Sequence, residues 1–227
     1  HEPVLELIWK DDLKKAFNKI DKPVPPAPTE DQVEILHKPT EINNYLKHLL
    51  QQKPEYMSID WETTGLKPYG PKHKIWSVGI GDAWDHAVSF RFQEQNRDRL
   101  VEVLQSSIPK VAHHMKFEEM WARAILKTHI RNWMHCTMNT AHMIDNRSLV
   151  TGLKFQTYVN LGVVDYASHV ASFLRAEGSN GINNIHKAPQ KDLLLYGGLD
   201  GINTFRLCQI QREILGLAEK KTIFSNE

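Results

Sequence analysis

At 227 residues, with 41% hydrophobic and 24% charged side chains, the chain can bury one full core and has the composition of a globular domain. A formal net charge of +1 rules out gripping nucleic acid by overall charge, so such a partner would have to be held locally. Cys136 and Cys208 are too few for a disulfide framework and point to a reducing compartment. The twelve histidines show no zinc spacing, and no apolar run is long enough to span a membrane.

Residues 1–30 read as an N-terminal extension. An amphipathic stretch from Leu5 to Ile20 is followed by "DKPVPPAP" at 21–28, whose four prolines exclude helix and central strand and leave a linker or surface strap. A domain is expected over 31–227. It opens with a short strand, "VEIL" at 33–36, and a helix from about Thr40 with Ile42, Tyr45, Leu46, Leu49 and Leu50 at helical spacing. Strands at 56–62, 74–81 and 85–90 are joined by short loops, which predicts antiparallel neighbours. A helix near 96–106, a strand "KVAHH" at 110–114 and a helix near Phe117 follow. From 137 the pattern is helical, broken near Asn146–Arg147 and at "EGSNG", 177–181, and it ends in a long helix over about 189–217. Five strands in this order predict an α/β domain, a mixed five-stranded sheet flanked by helices.

The chemistry concentrates at "YMSIDWETTGLKPYG", residues 56–70. Strand side chains alternate, so Asp60 and Glu62 share one face while Trp61 takes the other. Two like charges side by side need compensation, by a divalent metal or by a lysine or arginine. Two further acids bear on the choice. Glu118 lies at the start of the helix after "VAHHMKF", and Asp200 lies in the last helix, four residues after Tyr196 and on its face. Carboxylates from separate elements offer the hard oxygen donors that Mg²⁺ or Mn²⁺ prefers.

D-x-E on a strand, an acid after H-M-K-F and a late Y-x-x-x-D resemble, in order, the motifs of the DEDD 3′–5′ exonucleases of the tyrosine kind. The stretch "TMNTAHMIDNRSLVTGLKFQTYVNLGVVDY", 137–166, further resembles the proofreading domains of phage-type family A DNA polymerases. The resemblance implies a ribonuclease H-like fold and two-metal removal of nucleotides from the 3′ end of single-stranded DNA. It implies Mg²⁺ or Mn²⁺ as cofactors, a DNA polymerase, fused or separate, as partner, and the cytoplasm of a bacterial or phage-infected cell. By the same resemblance Asp60, Glu62 and Asp200 bind the first metal, Asp60 also reaches the second, Glu118 supports the second, and Tyr196 orients the attacking water. Leu66 would wedge against the terminal base, Thr63 would contact the terminal nucleotide, and His114 would touch the strand.

Three positions depart from the family pattern. His114 stands for a usual Asn, Glu118 for a usual Asp, and Cys136 for the Asp that commonly precedes Thr137. The departures at His114 and Glu118 keep a second class of reading open, a weakened exonuclease-like module that holds DNA or a polymerase. An RNA 3′-trimming enzyme of the ribonuclease D kind uses the same acid pattern. Lys67, Lys72, His73 and Lys74 suit a phosphate grip or a solvated loop equally. For Trp76, Trp84, Trp121 and Trp133, packing is favoured over base stacking, and for His113 an inward-packed role is favoured.

Overall fold

The computed structural model describes residues 3–18, 20 and 26–217, so residues 21–25 of the predicted strap and the chain beyond 217 lie outside it. The N-terminal amphipathic stretch is helix α1, Pro3–Phe17. Strand β1 (Val33–Leu36) leads into α2 (Pro39–Gln52), which starts with proline in its first turn and carries Ile42, Leu46 and Leu49 on its buried face. Strands β2 (Met57–Thr63), β3 (Ile75–Ala83) and β4 (His86–Arg91) come next, then α3 (Arg97–Gln105) and β5 (Lys110–Ala112). Helix α4 (Met115–Trp121) runs on into a π-helical turn at Ala122–Leu126. The remainder is β6 (Trp133–Cys136), α5 (Thr137–Ile144), α6 (Leu153–Leu161), α7 (Ser168–Leu174) and α8 (Gln190–Ile214).

The sheet therefore has six strands, in the order β1-β4-β3-β2-β5-β6, where the sequence predicts five. The additional strand, "WMHC", is short and lacks strict alternation, and it pairs parallel to β5 only through long-range contacts. The expected antiparallel run β2–β3–β4 is present, and β1 joins β4 in parallel as β5 joins β2. Strand β5 also stops at Ala112, two residues short of the expected end. His114 has left the strand and caps α4, its Nδ1 accepting the Phe117 amide at 3.1 Å.

The two faces of the sheet differ in chemistry. Ile59, Trp61, Val78, Ile80, Val88 and Phe90 point into an apolar core closed by α2, α3 and α4. Ser58, Asp60 and Glu62 point the other way, against α8. That helix lies on the sheet almost backbone to backbone. A Cβ at Gly79 would stand 2.2 Å from the Gly197 carbonyl oxygen, and one at Gly81 would stand 2.7 Å from that of Gly201. Ser58 Oγ donates to the Gly201 carbonyl at 2.7 Å, fixing the register of the helix. Tyr196 and Asp200, one residue before each of these helix glycines, are thereby brought to the end of β2.

Candidate active site

The i, i+2 spacing on β2 and the seating of α8 bring Asp60, Glu62 and Asp200 together. One carboxylate oxygen from each lies within 4.8 Å of the others. The β2–β3 pairing shifts register between Glu62 and Thr63, where Trp76 of β3 is left as the extra residue immediately beyond the pair. The three acids line a cleft of about 240 Å³ shared with His113, His114, Glu118, Lys154 and Tyr196. Burial, reinforced by Asp200, pushes the Asp60 carboxyl up to about 7. Burial, then Asp60 and Asp200, raise Glu62 well above the usual range. Like charges held out of water repel, and a bound cation relieves that repulsion.

Glu118 is buried in the same cleft, one turn into α4, but its Oε2 accepts the Trp61 amide at 3.2 Å. The Trp61 indole in turn donates to the Glu118 backbone carbonyl at 3.1 Å. Three of the four predicted acids thus form one cluster, and the fourth adjoins it, tied to the strand that carries the first two. The extra methylene of Glu118 relative to Asp is accommodated by this reach to the backbone of β2. Burial and Asp60 raise its carboxyl well above the usual range.

Tyr196 is half-buried on α8. Burial and the Asp200 and Glu62 carboxylates hold its phenol protonated far above its ordinary range, so at neutral pH it is a hydroxyl and not a base. Leu66 is 58% exposed on the loop after β2, free to meet a ligand. Thr63 is buried, its hydroxyl donating to the Gly65 carbonyl at 2.8 Å, inside the turn. Cys136 is the N-cap residue of α5, and its thiol donates to the His113 carbonyl at 3.4 Å. His113 Nδ1 pairs with Thr137 Oγ1 at 2.9 Å, while its buried Nε2 has no partner among the described residues. Of Trp76, Trp84, Trp121 and Trp133, Trp121 is fully buried and the other three are half-buried.

Two residues not foreseen as site residues complete the cluster. Lys154, at the start of α6, places Nζ on Asp200 Oδ1, and the Tyr166 hydroxyl donates to the same oxygen. No local periodicity links them to Asp200. The one signal is that both fall in the 137–166 stretch.

A family model described as 3′–5′ exonuclease matches residues 33–215. The chain belongs to that 3′–5′ exonuclease family. Solved structures similar to this exonuclease include NrnC of Brucella melitensis bound to pGG, 20% identical, TM-score 0.58, covering 82% of this chain and 81% of that one. The same protein with bound Mg²⁺ is 17% identical, TM-score 0.56, with 86% and 98% covered. Escherichia coli RNase D, an exoribonuclease involved in structured RNA processing, is 11% identical, TM-score 0.61, with 81% and 46% covered. These likenesses show a shared ribonuclease H-like fold. No curated protein matches the chain.

Exonucleases of this family use divalent metals, and the residues here fit them. The donors are three hard carboxylate oxygens in one place, and the buried Asp60 Oδ2 has no hydrogen-bond partner among the described residues. Among those residues no helix is long and apolar enough to cross a membrane.

Proposed function

We propose that the chain removes nucleotides from the 3′ end of single-stranded DNA by metal-dependent hydrolysis, in proofreading or repair. The observation that carries this reading is the convergence of Asp60, Glu62 and Asp200, with Tyr196 beside them, at the end of β2. Asp60, Glu62 and Asp200 would hold one divalent ion. Asp60 would share a second with Glu118. When bound, such ions supply an acidified water and neutralise charge on the scissile phosphate and the leaving 3′ oxygen. The protein's own groups do the rest. The protonated Tyr196 hydroxyl orients the attacking water. The exposed Leu66 packs on the terminal base, and His114, fixed by its cap on α4, flanks the strand at the cleft mouth. DNA is favoured over RNA by the likeness of residues 137–166 to polymerase proofreading domains. NrnC with pGG and RNase D make short oligonucleotides and RNA the competing substrates to be tested.

The test is digestion of labelled single-stranded DNA, RNA, a dinucleotide and blunt duplex, with Mg²⁺, with Mn²⁺ and with EDTA. Single-stranded DNA should be shortened from the 3′ end only with metal present. A 3′-phosphate should block the reaction, a 5′ block should not, and Asp200→Ala should lower the rate by at least a thousandfold. Arrest by the 5′ block, or full activity of Asp200→Ala, would remove the reading. Faster digestion of RNA or of the dinucleotide would replace DNA as substrate.

A further inference from the structure

The cluster of acids contains its own cation. Lys154 Nζ donates to Asp200 Oδ1 and, at 2.8 Å, to the Tyr166 hydroxyl. It also lies 4.0 Å from the centroid of the Tyr166 ring and 4.2 Å from that of Tyr196. Asp200 Oδ1 thus receives two donors, an ammonium and a phenol. The lysine is 40% exposed along its side chain and Asp200 only 6%, so the amine reaches down a cleft wall from solvent to a buried carboxylate. Its stem comes from α6 and its target from α8, two helices that also pack through Leu161 and Leu207.

A divalent ion among Asp60, Glu62 and Asp200 and an ammonium on Asp200 want the same negative charge, and at such range they repel each other. We propose that Lys154 is a resident counter-cation that competes with the divalent ion for Asp200 and yields to it on binding. The two tyrosine rings keep the displaced ammonium at the cleft. An aromatic face attracts a cation without needing a formal charge, so the lysine can leave Asp200 without leaving the site. The inference rests on that reading of the acids as metal ligands. Lys154 acts on the metal through Asp200, which makes it a positioning residue.

The experiment is calorimetric titration of Mn²⁺ into the full chain without nucleic acid, for the wild type, Lys154→Met, Lys154→Gln and Lys154→Arg. Circular dichroism checks that each is folded. Removing the charge should tighten Mn²⁺ binding at least tenfold in the Met and Gln variants, equivalent to about 1.4 kcal/mol. Arg keeps the charge and should stay within about threefold of the wild type. Gln retains a hydrogen-bonding end, so it decides the matter should Met fail to fold. Equal or weaker Mn²⁺ binding in the folded neutral variants overturns the competition. A wild type that binds no Mn²⁺ at all overturns instead the assignment of the acids as metal ligands, and so separates the two failures.

Discussion

At the residue scale, the acid cluster opposes folding of the metal-free protein. Asp60 has its carboxyl raised from 3.8 to about 7 by burial and by Asp200. The folded state therefore holds that proton more tightly than the unfolded chain. Its stabilising contribution is full below about pH 4 and is lost as pH rises through about 7. Asp60→Asn cannot ionise and escapes the loss. In EDTA at pH 8 the variant should melt roughly 5 °C above the wild type, at about 2–4 °C per kcal/mol for a chain of this size. The gap should narrow as pH falls from 7 towards 4, and differential scanning calorimetry across that window checks it. A wild type more stable than the variant in EDTA at pH 8 would mean that the carboxylate is already compensated, for instance by Lys154 acting through Asp200.

At the element scale, the site depends on how closely α8 meets β3. Gly79 and Gly81 on the strand face Gly197 and Gly201 on the helix, and a methyl at Gly79 would overlap the Gly197 carbonyl. Backbone cannot rotate aside as a flexible side chain can, so the helix must shift. Gly79→Ala should cost roughly 3 kcal/mol, near the upper end for overpacking. It should also weaken Mn²⁺ binding, because Tyr196 and Asp200 ride on the displaced helix. Thermal melts together with Mn²⁺ titration test both effects. A stable Gly79→Ala with unaltered metal affinity would show that the contact has slack. The helix periodicity of "LLLYGGLDGINTF" already placed Tyr196 and Asp200 on one face, and the alternation of β2 placed Asp60 with Glu62. Neither pattern says that the two faces meet. The paired glycines encode that, and their meaning depends on knowing which strand lies opposite which turn.

At the scale of the whole molecule, a buried arginine joins the N-terminal segment to α8. Arg206, 1% exposed on α8, donates from Nε to the Trp84 carbonyl and from Nη1 to the Pro26 carbonyl, both at 2.7 Å, and from Nη2 to Gln32 at 3.3 Å. Burial lowers its guanidinium to about 10, so the charge is kept at neutral pH and is satisfied by carbonyl dipoles. Arg206→Met leaves two carbonyls without their donor and should cost about 3 kcal/mol. Limited proteolysis between α1 and β1 should accelerate in that variant. Unchanged cleavage there would show that the segment is held by other contacts.

The sequence by itself determined the fold class, the antiparallel core of the sheet, the bounds of its main helices to within a few residues and the acids worth examining. These depend on local periodicity and on spacing within one element, which the chain carries openly. It did not disclose the sixth strand, since four residues without alternation acquire strand geometry only when β5 lies alongside. Nor did it disclose Lys154 and Tyr166, whose partner Asp200 is 46 and 34 residues away in the chain. The departure at Glu118 was visible as a residue, but its consequence was not. Only the tertiary structure shows the longer side chain reaching the Trp61 amide, because that bond joins a helix to a strand 57 residues earlier. Contacts of that kind are set by how packed elements are seated on one another, and the close glycine approach of α8 to β3 sets them here.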